Sequence, residues 1–379
     1  PDEKQGQGPL NLGRAYHTAT LVNFGSADPP DWKVIIVGGL GIIGGVEQSL
    51  AVVEVYDVDD KAIGEPVSPI RGRAYHTATQ IANGDVVFIG GITRQSDAGG
   101  LVTNEYRNDA EYFEASTGAF KAISGTMSAQ RSQHTASYIV FTQNADSGAA
   151  QIEKIMVAGG RGEKNIHGSV EFYDHNAQKF MKITDGSGKD VLMTSPRYGH
   201  VAERVVVSST PDGSDPSIVR KTLRVVMAGG LRCIDKCTGS TDCCGDKDGF
   251  DSLDASITNS VEVFNPHLSP AGNFTASSTM SVGRALMIIS ELPERKLLIA
   301  GGRSSGGKPL AEAEVLAFDE KGILAKPANT DNKMADPRYS HTATVLMSGM
   351  VLLVGGHGTS GTLVSTEFFS PQFAPVVSE

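Results

Sequence analysis

The chain has 379 residues, 43 acidic and 33 basic, for a net charge of −10, with 44 glycines and 40% hydrophobic residues. That length exceeds one ordinary hydrophobic core, and the glycine content without long amphipathic runs favours many short strands joined by turns. No cluster of Lys and Arg is present to neutralise a phosphate backbone, so nucleic acid is excluded as a partner. Apolar runs such as VVEV and MVLLV are far shorter than the about 20 residues of a membrane-spanning helix, so no transmembrane segment is expected. The chain opens at Pro1, and an upstream segment is expected to have been removed.

In chain order, the first recognisable element is RAYHTAT at 14–20, repeated letter for letter at 73–79. It returns as RSQHTAS at Arg131, RYGHVAE at Arg197, RALMIIS at Arg284 and RYSHTAT at Arg338, at intervals of 59, 58, 66, 87 and 54 residues. After each comes an apolar run closed by two glycines, ending at Gly39, Gly91, Gly160, Gly230, Gly302 and Gly356. These runs are apolar throughout, as a strand buried on both faces must be. A third strand follows, centred on Glu54, Glu111, Glu171, Glu262, Glu314 and Glu367, and a fourth, less regular segment leads to the next Arg. Six four-stranded units at this period predict an all-β fold, a single six-bladed β-propeller of antiparallel blades over 1–379. The segment before Arg14 resembles the one that ends every other unit, so it is expected to lie against the sixth blade.

The order R-x-x-H-T-A-T, apolar-GG, then an acidic and aromatic strand resembles the kelch repeat, as found in bacterial surface proteins, over nearly the whole chain. The resemblance implies the propeller fold. It leaves function open, because propellers of that family serve as binding platforms, actin-bundling modules, sugar oxidases and sugar mutarotases.

A residue type present in all units does what every blade needs. The six Arg and six Glu are therefore expected to be framework ion pairs, and His17, His76, His134, His200 and His341 to be structural imidazoles in separate blades. Departures from the pattern are more informative: Met287 replaces His in unit five, and Glu203 stands where Thr is usual in unit four. The connections after GG are long at 40–51, 92–108 and about 231–260, and extensions at 23–32, 141–153 and 208–222 lie between first and second strands, where their composition predicts solvated excursions.

All four cysteines, Cys233, Cys237, Cys243 and Cys244, fall in the insert at about 231–260 of blade four. An even number in one loop reads as local disulfides, which places the protein outside the cytoplasm, extracellular, periplasmic or at the cell surface. Zinc is the rival, although C-x3-C-x5-CC lacks paired C-x-x-C knuckles. Asp246, Asp248, Asp251 and Asp254 follow, and alternate carboxylates around a Gly resemble a calcium loop at Asp246, Asp248 and Asp251; a solvated acidic turn is the alternative. The functional expectation is a noncatalytic binding or assembly module presenting its loop-rich rim, including these aspartates, to a protein or glycan partner at the cell surface. A sugar-acting enzyme, mutarotase-like before copper oxidase-like, is the alternative. The oxidase would need a Cys linked to a Tyr beside two His, and every Cys here sits in one loop.

Overall fold

The computed structural model describes residues 10–370 except 25–29, 58, 61, 65–70, 97–98, 143–150, 212–218, 233–241, 244–256, 269–270, 320, 331–332 and 347. The fold is all-β, a six-bladed β-propeller, and none of its described segments is helical. No helix among them is long and apolar enough to cross a membrane.

Blade one comprises Thr18–Asn23, Trp32–Val37, Val53–Asp57 and Ala62–Ile63; blade two Thr77–Gln80, Val86–Ile89, Ala110–Glu114 and Ala119–Ala122. Blade three has Thr135–Phe141, Ile152–Ala158, Val170–Asp174 and Lys179–Lys182; blade four Val201–Pro211, Val219–Ala228, Ser260–Asn265 and Asn273–Thr279. Blade five has Ile288–Leu292, Lys296–Ala300, Ala313–Ala317 and Ala328–Asn329. Blade six shows three strands among the described residues, Thr342–Val345, Val351–Val354 and Thr366–Phe369. The segments expected to complete it, before residue 10 and after 370, lie outside the described residues.

The chain divides into two compact units, and the boundary runs through blade three. In the first, Val22, Ile35 and Val37 of blade one pack on Val86, Phe88 and Phe113 of blade two, so the core lies in layers between blades. In the second, Val205, Val226 and Val263 of blade four meet Leu297, Ile299 and Leu316 of blade five in the same way.

Register is constant. Glu54 faces Ile36, Glu111 faces Phe88, Glu262 faces Met227, Glu314 faces Ile299 and Glu367 faces Leu353, each two residues before the double glycine. A slip of one residue would turn the carboxylate to the other face, so the acid and the register are specified together. The glycines have their own reason. Gly301 and Gly302 have φ of +65° and +101°, and a Cβ on Gly301 would lie 2.5 Å from the carbonyl oxygen of Arg338 in the next blade. The Gly302 N–H donates to that same oxygen at 2.9 Å, so close backbone approach is what joins blade to blade.

Candidate functional site

The six repeated Arg and Glu form six clamps. Arg14–Glu54, Arg73–Glu111 and Arg131–Glu171 approach to 2.6 Å, Arg284–Glu314 to 2.7 Å and Arg338–Glu367 to 2.9 Å; Arg197 and Glu262 make the same pair. The other terminal guanidinium nitrogen of each Arg donates to the carbonyl of the first glycine of its own blade's pair, between 2.8 Å for Arg131 and 3.1 Å for Arg197. The carboxylates also accept backbone N–H groups from the chain entering the blade, Ser128 to Glu171 at 3.0 Å and Thr194 to Glu262 at 2.7 Å. Both terminal nitrogens of each buried Arg are thus engaged within the blade. Each clamp links the first strand to the double glycine and third strand of its blade.

The histidines pack behind them. His76 Nε2 hydrogen-bonds Thr18 Oγ1 of the preceding blade at 3.0 Å, and His134 Nε2 bonds Thr77 Oγ1 at 3.2 Å. Burial, reinforced by the Arg of the same blade, pushes His200 down to about 3 and His341 to about 4, and lowers His76 well below its ordinary value, so these rings are neutral. Among the described residues no three His, Cys, Asp or Glu side chains gather as a metal site requires.

The repeat also carries a feature its letters conceal. The third residue of each R-x-x-H has positive φ: Tyr16, Tyr75, Gln133, Gly199, Leu286 and Ser340, between +51° and +60°. In Tyr75, Gln133, Leu286 and Ser340 the N–H donates to the matching carbonyl of the preceding blade, Tyr75 to Tyr16 at 3.2 Å and Ser340 to Leu286 at 2.8 Å. Only Gly199 signals this conformation in sequence.

Two places escape the framework. In the first unit, the long connections after the glycines of blades one and two fold as hairpins, Leu40–Ile43 with Val46–Ser49 and Ile92–Ser96 with Val102–Tyr106. Gly44 and Gly45, φ +62° and +83°, form the two-residue turn of the first. The hairpins brace each other. Ser49 Oγ donates to the Ile92 carbonyl at 3.2 Å and accepts the Arg94 N–H at 2.9 Å, while Arg94 pairs with Glu47 and donates to Asn104 Oδ1 at 3.0 Å. Their tips expose aliphatic side chains: Ile42 is 71% and Leu101 65% accessible, with Ile43, Val46 and Val102 also exposed. Both tips therefore present large apolar groups to solvent on hairpins that brace each other.

The second place lies at the other end of a blade, where first and second strands join. The extension at 208–222 is not wholly an excursion, because blade four's first two strands run for 11 and 10 residues, with a β-bulge between Val206 and Ser208. They form a wall of a cavity of about 570 Å³ in the second unit, lined by Phe141, Arg204, Val206, Lys221, Leu223 and Glu291 among others. Glu291 of this lining also acts on Glu203: burial and then the Glu291 charge raise the Glu203 carboxyl above the usual range.

Of the insert at about 231–260, Leu231 and Arg232 pair with Arg197 and Tyr198, and Asp242–Cys243 pair through the backbone with Ile166–His167. Cys233, Cys237, Cys244, Asp246, Asp248, Asp251 and Asp254 lie outside the described residues, and with them the disulfide, zinc and calcium expectations.

Repeated clamps on six antiparallel sheets define a propeller scaffold. Comparison with solved structures agrees on the scaffold: the structure of YjhT superposes with a TM-score of 0.55 at 12% identity, covering 94% of each chain. That likeness shows the fold alone. No protein-family profile matches the chain, and no curated protein does.

Proposed function

We propose that the protein is a noncatalytic binding module working outside the cytoplasm, at the cell surface or in an extracellular assembly, and that it holds a protein partner on the hairpin tips of blades one and two. The observation carrying this reading is the cluster of Ile42, Ile43, Val46, Leu101 and Val102, exposed on hairpins that are already braced. Aliphatic tips suit a protein surface better than a glycan, whose sugar faces are usually held by aromatic rings. Bracing before contact lowers the ordering cost of association. Four cysteines in one insert support the oxidising compartment. The test is a screen of the protein against immobilised extracellular proteins and glycans, repeated with an Ile42→Ser, Leu101→Ser variant. A saturable protein interaction lost in the variant is expected; binding only to glycans, or binding indifferent to the tips, would reject the reading.

A sugar-acting enzyme is the second reading, favoured by one observation: the Glu203 carboxyl is raised by burial and by the charge of Glu291, an acid of the cavity lining, and such an acid pair could give and take a proton. Anomer exchange of free sugars, followed by NMR and abolished by Glu203→Gln, would support it over the binding module.

A further inference from the structure

The cavity of the second unit has a floor and a rim of different chemistry. Phe141 and Leu223 are buried in the floor. His267 welds that floor together: its Nε2 accepts the Leu223 N–H at 3.0 Å, which leaves Nδ1–H to donate to the Thr142 carbonyl at 2.9 Å, and its ring meets Phe141 edge-on at 6.0 Å. Burial lowers His267, so the ring stays neutral and the weld adds no charge beneath the cavity. The floor is therefore rigid and apolar. Around it stand Arg204 and Lys221 from the lengthened strands of blade four, Gln151 from the edge of blade three, and Glu291 from blade five. Among the described residues neither Arg204 nor Lys221 makes an ion pair, whereas the repeated arginines all do. Two cations without an ion pair among the described residues thus share one concavity with Glu291.

Blade two shows what the scaffold does without a site here. Its first two strands have four residues each and close through Ile81–Asp85 with no wall. Arg204 stands where blade two has Gln80, and the extension of blade four beyond it, with its bulge, adds Lys221 at the same end; bulges commonly re-aim side chains at such places.

We propose that this cavity binds a small amphipathic organic anion. Its apolar body rests on Phe141, Val206 and Leu223, its carboxylate or phosphate lies between Arg204 and Lys221, and a hydroxyl or amino donor on the ligand faces Glu291. The volume suits one such molecule, and a few polar groups around an apolar floor are the usual composition of a small-ligand site. The guanidinium favours a planar, bidentate head group, and Lys221 adds a point charge.

The experiment is ligand-detected NMR on the full chain with three probes, benzoate, phenyl phosphate and the neutral benzyl alcohol, each titrated to about millimolar concentration. Saturable binding of at least one anion is expected. It should weaken roughly tenfold in Arg204→Met and in Lys221→Met and fall with added salt, and the preferred anion separates carboxylate from phosphate recognition. Both side chains are exposed, so neither variant should alter melting. The Ile42→Ser, Leu101→Ser variant should bind the probes as the wild type does, which separates this site from the hairpin tips. Failure of both anions to bind, equal binding of benzyl alcohol, or undiminished anion binding in both cation variants would overturn the proposal.

Discussion

Blades two and four are built on the same clamp, and blade four also grows at an end where blade two does not. Arg73–Glu111 and Arg197–Glu262 occupy equivalent places, each Arg also reaching the first glycine of its pair. Yet blade two closes its first hairpin after four-residue strands and extends beyond the glycines into Ile92–Ser96 and Val102–Tyr106, while blade four extends its first hairpin to Pro211. The interior is thus held fixed by groups that satisfy one another, and what distinguishes one blade from the next sits where the chain turns. On the proposed reading, polar residues of the repeat serve stability and residues outside it bind.

The strongest challenge to that division is Arg73→Ala set beside Arg197→Ala. Each leaves a buried carboxylate without its cation, and each should cost about 3 to 5 kcal/mol, read from urea unfolding. If one were tolerated while a ligand was lost, that Arg would belong to a site and the equivalence of the two clamps would fail.

Acid should come next. His76 and His200 are held below their ordinary value by burial, so the folded protein binds fewer protons than the unfolded chain once pH falls below about 6.5. Stability is full above that point and declines through the window down to about 3 for His200, by on the order of 1.4 kcal/mol per pH unit per histidine. Unfolding at about pH 7 and about pH 5 should show the slope, and His200→Gln, which cannot take the proton, should flatten it. An unchanged slope would mean that His200 is protonated when folded.

The smallest expected effect tests the shared backbone turn. Gly199→Ala in blade four should cost about 1 kcal/mol, because only there does glycine occupy the left-handed position, and the reciprocal Ser340→Gly in blade six should be neutral or slightly stabilising. A neutral Gly199→Ala would show that the neighbouring blade dictates the conformation at no energetic cost.

The clamp was legible because every blade needs the same register: Arg, the double glycine and Glu recur in fixed order, and repetition itself marked them as framework. The left-handed position was not, since Tyr, Gln, Leu and Ser all adopt it under the pull of a backbone hydrogen bond from the preceding blade, and only Gly199 declares it. The hairpin connections were visible as long loops, and their apolar tips lay in plain letters at Ile42 and Leu101, but their mutual bracing through Ser49 and Arg94 is a tertiary fact. The cavity left no motif. It depends on strand length and a bulge, and its lining comes from three blades whose residues have no shared spacing.

The central claim, that the hairpin tips bind a partner while the clamps only hold the fold, is tested most directly by one titration. The protein partner recovered from the screen is titrated against the wild type, the Ile42→Ser, Leu101→Ser variant and the Arg204→Met variant, with melting measured on each. The account predicts roughly tenfold weaker binding or worse for the tip variant alone, with all three melting alike. Wild-type affinity in the tip variant would contradict it.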